Sequence, residues 1–416
     1  MQLQRFAHIA SAVVKTASAQ FCRHLASSSA GRTQLYELHV RQGGKMVVFA
    51  DHWLPIVYKQ QSIGESHLHV RQEAGLFDVS HMLQTEITGE HAQQLLESVC
   101  VADCKGLAAN TGTLSVFTNQ NGGIIDDLIV SRIGNNKFYV VSNAGCAAKV
   151  RLLFDQAVQQ FNTEGKQVQH RYLNETHSLV ALQGPKAEQV LQPLLGNVTN
   201  LSRLYFMQSA MTQFEQTSIR VTRCGYTGED GFELSVPNES VETLVDVLLK
   251  QEEVRLTGLG ARDSLRMEAG LCLYGNDIDE STSPVEAGLS WTIGKRRRQT
   301  EPDRPIFPGA QRILAQLNKQ QPLKKRRVGL KAVQSGPPAR QGATILELDG
   351  NQTNVGEVTS GCPSPVLKEN IAIGYVQDRF SRPGTKLQVL VRNRLYQYEV
   401  VKMPFVSTHY YLPPKK

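Results

Sequence analysis

Apolar positions along this chain switch repeatedly between a period of two and a period near 3.6, the marks of strand and helix. Residues 46–50 read as a strand, 62–74 as a helix, and 75–82 as a strand with polar residues at its end. Residues 85–88 are a strand, and 90–99 a helix with Leu95, Leu96 and Val99 on one face. Strands follow at 113–118, 124–130 and 137–142, then an amphipathic helix over 147–160. Residues 171–236 are strand-rich, with a strand over 179–185 that stops at Gly184-Pro185, and helices follow around 240–250 and 260–270. From about 311 onward short strands alternate with Gly and Pro turns, the pattern of a small β-barrel or sandwich. Hairpins mixed with helices, without regular βαβ units, make this an α+β chain.

The stretch with the most chemistry is 122–130, Gly-Gly-Ile-Ile-Asp-Asp-Leu-Ile-Val. Two glycines suit a tight turn where another backbone or a ligand comes close. Successive strand side chains point to opposite faces, so Asp126 and Asp127 are expected in different environments, one facing water and one inward. An inward carboxylate needs a partner or a task; a carboxylate capping turn N–H groups is the plain alternative. A second dense stretch, Cys224 to Gly231, places three glycines, Tyr226, Glu229 and Asp230 between two strands. His81, at a strand end, is either a catalytic base or a hydrogen-bonded structural residue.

Composition narrows the classes. The chain has 416 residues with 41% hydrophobic and 20% charged content, ordinary for a globular protein of two or three domains. No apolar run is long enough to span a bilayer, so no membrane segment is expected. The net charge of +7 favours acidic partners or anionic small molecules. Two basic runs, at 295–298 and 324–327, read as solvated loops or as a surface that attracts an acidic partner. No aromatic residues interleave them as nucleic-acid stacking would require, and no nucleic-acid role is expected. Seven scattered cysteines without a CxxC pair suggest reduced thiols. No HExxH, GxGxxG or P-loop pattern occurs, and the carboxylates at 277–280 lack EF-hand spacing. Residues 1–36 contain no Asp or Glu, while Arg5, Lys15, Arg23 and Arg32 stand among Ala and Ser, the composition of a mitochondrial transit peptide. Residues 294–310, with Pro302, Pro305 and Pro308, read as a linker.

Carboxylates at 127 and 229, Arg262 and ring-bearing residues suit a planar, nitrogen-rich ligand. A carboxylate accepts two bonds from an amino-pyrimidine edge, an Arg holds a carboxylate or carbonyl, and aromatics cover ring faces. A pterin fits, and a purine almost as well.

Longer motifs carry a resemblance. FDVSHM (77–82), GGIIDDLIV (122–130), LQGP (182–185), RCGYTGEDGFELSV (223–236), GLGARDSLRMEAGLCLYGNDIDE (258–280), PVEAGLSW (284–291), TSGCPSPVLKENIAIGYV (359–376) and KMPFV (402–406) resemble the aminomethyltransferase family, the T-proteins of the glycine cleavage system. The resemblance spans essentially residues 33–416. It implies a three-lobed folate-binding fold: an α+β lobe over 31–82 and 165–278, a second over 83–164 and 279–312, and a C-terminal β-barrel over 313–416, after a transit peptide over 1–30. It also implies a reaction in the mitochondrial matrix. An aminomethyl group on a dihydrolipoyl carrier protein gives its one-carbon unit to tetrahydrofolate, and ammonia leaves. No metal is implied. By the same resemblance Asp127 is the catalytic carboxylate and faces inward, while Glu229 accepts from the pterin edge. Arg262 and Tyr410 contact folate, and Met82, Asn143 and Trp291 line the channel. One departure stands out: where the family has FAGW, this chain has Phe49-Ala50-Asp51-His52-Trp53, placing Asp51 at a glycine position; glycine permits a positive φ, which Asp tolerates better than most residues. Two other readings share the fold. One is a folate-binding accessory protein in iron–sulfur assembly, and the other a demethylating dehydrogenase, which would need a flavin domain.

Overall fold

A computed structural model describes residues 30–196, 199–298, 307–348 and 352–414. The expected transit segment, apart from Ala30, and residues 299–306 of the proline-containing linker lie outside the described residues.

Two large sheets and one barrel dominate. The first sheet runs in the order Ser209–Phe214, Thr217–Thr222, Gly231–Pro237, His177–Gln183, Ala74–Asp78 and Val254–Leu256. Its pairs are antiparallel except the last. The second sheet runs Thr111–Thr118, Ile124–Gly134, Lys137–Ser142, Leu83–Thr88 and Gln169–Tyr172, antiparallel throughout. The chain therefore leaves the first sheet after Asp78, builds the second, and returns at His177. This corrects the expected lobe boundary at 165: Gln169–Tyr172 pairs with Leu83–Thr88 and belongs to the second sheet.

Alternation along each strand explains how the sheets are covered. Val180, Leu182, Phe232, Leu234 and Val236 face a core closed by the helix Asn238–Leu248. Leu179 and Ala181 face the other way, toward Tyr139 and Val141 of the second sheet. The outer side of the second sheet packs on the helices Ala92–Val99 and Ala147–Thr163. The latter buries Val150, Phe154, Val158 and Phe161, one stripe at helical spacing. The helix Ile63–Gln72 begins where Ser62 and Glu65 form a reciprocal capping box. Six strands from Lys325–Ala332 to Arg394–Val401 close into a barrel filled by Leu330, Val358, Ala372 and Val389, so of the two expected forms the C-terminal unit takes the barrel.

The altered segment forms a tight hairpin between Gly44–Phe49 and His52–Tyr58, with Phe49 paired to His52. Its two turn residues, Ala50 and Asp51, both have positive φ, 46° and 59°. That is the requirement of a two-residue turn matched to strand twist. Asp tolerates it well and Ala less so.

Candidate functional site

The two sheets face each other across a narrow gap. Ile129, Ser131, Tyr139 and Val141 line it from the second sheet, and Leu179, Thr222, Cys224, Glu233 and Ser235 from the first. Phe232 and Leu234 are buried in the core behind Glu233, so alternation alone turns Glu233 to the cavity.

The aspartate pair lies on the strand Ile124–Gly134, entered through a turn that only glycine allows. A side chain at Gly123 would sit 1.7 Å from the Glu280 carbonyl. A register shift opposite Phe117 and Thr118 sets Asp126 against Phe117 and Asp127 against Val116. Asp127 shares its face with the cavity residues Ile129 and Ser131, as expected. The two side chains do point to opposite faces, but Asp126 does not face water as one of the pair was expected to. It is fully buried, on the face of Leu128 and Val130. Asn143, at the end of the neighbouring strand, joins the two. Its Nδ2 donates to Asp126 Oδ1 at 2.9 Å and to Asp127 Oδ1 at 2.8 Å, and its backbone N–H donates to Asp126 Oδ2 at 3.0 Å. Burial pushes Asp127 up to about 6 against the pull of the Asn143 bond, and Asp277 adds to the rise. Burial and the neighbouring Asp127 push Asp126 up to about 7. Asn143, expected as a channel residue, is thus the clamp of the pair.

Arg262 stands in the first turn of the helix Leu259–Glu268, its guanidinium 4.6 Å from the centre of the Tyr226 ring. Among the described residues it makes no hydrogen bond to a carboxylate. The Tyr226 hydroxyl is tied to the Cys272 carbonyl, which fixes the ring as a platform. Burial raises the Glu233 carboxyl, Arg262 lowers it, and the Cys224 thiol donates to it. Asp127, Tyr226, Arg262 and Glu233 act on one another electrostatically in sequence, which ties the aspartate to the far carboxylate.

Glu229, the carboxylate expected at the pterin edge, is bound into a network of charged side chains. Arg71 donates to its Oε1 at 2.8 Å and His409 meets its Oε2 at 2.9 Å, and it is 3% exposed. Arg71 also bonds the Thr227 carbonyl at 2.7 Å and Glu268 at 2.8 Å, and Glu268 bonds His67 and Ser364. Both oxygens of Glu229 are therefore already engaged. Glu233, not singled out from sequence, is the carboxylate of this motif that reaches the cavity. The signal for it was present: one Glu at an alternate position in an otherwise apolar strand.

Tyr410 stacks on Phe206, ring centres 4.2 Å apart, beside the His409–Glu229 pair. Its hydroxyl has no hydrogen-bond partner among the described residues. The segment that carries it is laced to the first sheet's loops. Phe405 and Val406 donate to the Glu268 carbonyl, His409 to that of Gly228, and Phe206 to that of Tyr411. Met82 packs on the inter-sheet cluster with Tyr139 and Val141, next to the cavity. Trp291 is not brought into the interior: it stands 59% exposed in the short turn Ser290–Thr292.

Most arginines of the basic runs are engaged within the fold, while Lys295 and Lys324 are exposed. Arg297 is buried and donates to the carbonyls of Ala102 and Glu97. Arg296 pairs with Glu97 and Asp103, and Arg298 bonds the Ile293 and Ser290 carbonyls. In the second run Arg326 pairs with Asp378, and Arg327 bonds the carbonyls of Ala287 and Gly270. Arginine brings five donors, enough to close loops from inside.

Comparison with known proteins fits this architecture. Residues 35–297 match the model of the GCVT N-terminal domain, and 325–407 that of the glycine cleavage T-protein C-terminal barrel domain. The mitochondrial aminomethyltransferase of Homo sapiens is 52% identical over 381 residues, 91% of each chain. The probable mitochondrial aminomethyltransferase of Schizosaccharomyces pombe is 47% identical over 387 residues, 93% of this chain and 95% of that one. The crystal structure of glycine cleavage system aminomethyltransferase T from Bartonella henselae superposes with a TM-score of 0.83 at 36% identity, over 92% of this chain and all of that one. With two family models covering both units and relatives matched nearly end to end, the chain belongs to the aminomethyltransferase family, the T-proteins of the glycine cleavage system.

Proposed function

We propose that the cavity between the two sheets takes tetrahydrofolate, and that a lipoyl carrier protein of the glycine cleavage system presents its aminomethylated arm at the Asp127 end. The observation that supports this most is a set of unmet hydrogen-bonding groups. Arg262 lies over Tyr226 without a carboxylate partner, Asp127 acts electrostatically on the same Tyr226, and Glu233 lines the gap between the sheets and acts on Arg262. A planar ring with an amino-pyrimidine edge matches Glu233, a carbonyl or carboxylate matches Arg262, and the Tyr410 hydroxyl is free for a further contact. The pterin-edge role is assigned to Glu233, because it lines the gap between the sheets, whereas each oxygen of Glu229 already has a partner in Arg71 or His409. Met82 contributes to the wall. Trp291 is left outside, except as part of a rim.

Tetrahydrofolate supplies the two amine nitrogens that take up the one-carbon unit. Asp127 is held by Asn143 so that one carboxylate oxygen keeps its direction. A carboxylate there orients an amine N–H, receives or passes a proton, and stabilises positive charge on the transferring carbon in a water-poor space. Holding both reactants in one cleft supplies much of the rate by proximity. The relatives' mitochondrial names and the acid-free first 36 residues favour the matrix as the site of action. The test is ammonia release from an aminomethylated lipoyl carrier with and without tetrahydrofolate. Release that depends on tetrahydrofolate is expected. Folate binding without turnover would instead support the accessory-protein reading.

A further inference from the structure

His81 differs from the other buried histidines. His39 bonds Asp78 and Tyr58, His67 bonds Glu268 and Ser264, and His69 bonds the Glu253 carbonyl. His81 is 4% exposed, yet neither ring nitrogen makes a hydrogen bond among the described residues. Its Nδ1 is sealed from solvent, and Nε2 keeps what contact with open space remains. Buried polar groups in folded proteins are nearly always paired, and one that is not calls for a ligand, a water or a functional reason.

The surroundings narrow the reason. The ring lies edge-on to Phe49 at 5.9 Å and tilted to His52 at 6.2 Å. Both belong to the Ala50–Asp51 hairpin, whose tip reaches the loop after Asn143: a side chain at Gly145 would lie 4.0 Å from the Ala50 Cβ. The hairpin that His81 packs on therefore comes close to the loop that follows Asn143. Met82, the next residue, packs on the inter-sheet cluster. The charged and titratable groups that face His81 are Arg262 from its helix, His52 from the hairpin, and Asp78 from its own strand. Burial pushes the imidazole down to about 3, Arg262 and His52 act in the same direction, and Asp78 opposes them. At neutral pH the ring is uncharged, a hydrogen-bonding group and not a proton store. The same field disfavours any ammonium beside it.

We propose that His81 is a ligand-contacting residue, whose Nε2 hydrogen-bonds to an uncharged amine nitrogen held beside Arg262 and the hairpin. A folate nitrogen must be uncharged to attack carbon, so a corner that excludes cations helps keep it reactive. The inference rests on the folate-and-carrier reading above. Two amines fit: a folate nitrogen, or the aminomethyl nitrogen of the carrier.

The test compares His81→Leu, which fills the space without polarity, with His81→Gln, which keeps one donor and one acceptor. Tetrahydrofolate affinity is read by calorimetry, KM by turnover of the aminomethylated carrier, and the fold by melting temperature. The Leu variant is expected to melt no lower than wild type, because it removes an unpaired buried group. It is expected to lose roughly 5- to 150-fold toward one ligand, the effect of one lost hydrogen bond in a dry site, with Gln recovering part of it. A loss in tetrahydrofolate affinity identifies the folate nitrogen, and a rise in carrier KM alone identifies the aminomethyl nitrogen. Unchanged values for both ligands would overturn the proposal. So would a loss that tracks a lower melting temperature equally in both variants. Wild type that binds neither ligand would bring down the reading beneath it as well, so the two failures are told apart.

Discussion

Glu229 and Glu233 lie four residues apart, and their surroundings are opposite. Around Glu229 every charge has a partner: Arg71 bridges Glu229 and Glu268, His67 and Ser364 complete Glu268, and His409 completes Glu229. Around Glu233 the balance is open, with a thiol donor, a distant Arg262, and empty space. A saturated network joins parts of a fold, whereas groups left unsatisfied in a closed space are ready for something that arrives later. The glycine-rich loop that holds Glu229 is tied into this network, and the strand that follows it turns Glu233 to the gap between the sheets.

The largest effect should come from breaking the saturated side. Arg71→Leu leaves Glu229 and Glu268 buried without their cation and should cost about 3–5 kcal/mol of stability, read by urea unfolding. A loss under about 1 kcal/mol would show that the network is exposed enough to be screened.

Next comes Asp127→Asn, nearly isosteric, which should keep tetrahydrofolate affinity and lose about 10²-fold or more in kcat. Wild-type kcat should also fall as pH drops through about 6, because burial raises this carboxyl and the working form is the anion. That acid limb should vanish in the variant. Asp126→Asn belongs in the same experiment. Because Asn143 binds both side chains, it should disturb turnover too, and a fully silent Asp126 variant would mean that the pair does not act together.

A direct contrast is Glu233→Gln against Glu229→Gln. The first should weaken tetrahydrofolate binding by about 1–3 kcal/mol at unchanged melting temperature. The second should lower the melting temperature more than it affects binding. The reverse pattern would return the pterin edge to Glu229.

The smallest effect should follow Lys295→Gln. The arginines beside it are engaged with Glu97, Asp103 and backbone carbonyls, so little charge remains to steer an acidic carrier. Carrier KM should change by less than about twofold across salt concentrations. A marked, salt-dependent rise would restore the steering surface.

What could be read from the sequence follows from how local each cause is. The capping box of Ser62 and Glu65 and the stripe Val150–Phe154–Val158–Phe161 are local, and the expected helices appear there within a few residues. The Gly122-Gly123 entry and the inward turn of Asp127 were legible too. The burial of Asp126 was not, because it depends on Asn143, seventeen residues away on the next strand. Arg297 looked like surface charge because its partners are carbonyls at 97 and 102, which no residue type announces. Trp291 stands exposed because the turn that carries it packs through Leu289 and Ile293 instead. The boundary at 165 failed because Gln169–Tyr172 is a short edge strand with little pattern of its own.

The lacing of residues 405–411 onto the loops that hold Tyr226 and Glu229 has a consequence for how the molecule comes into being. Translation delivers the aspartate pair, the glycine-rich loop and Arg262 long before Tyr410. During that interval the two sheets can pair and bury their cores while one wall of the cleft is still missing. Completion of that wall thus waits for a segment that follows both sheets and the barrel in the chain. A premature stop shortly before position 410 would yield a chain with its sheets and barrel in place and its cleft ajar.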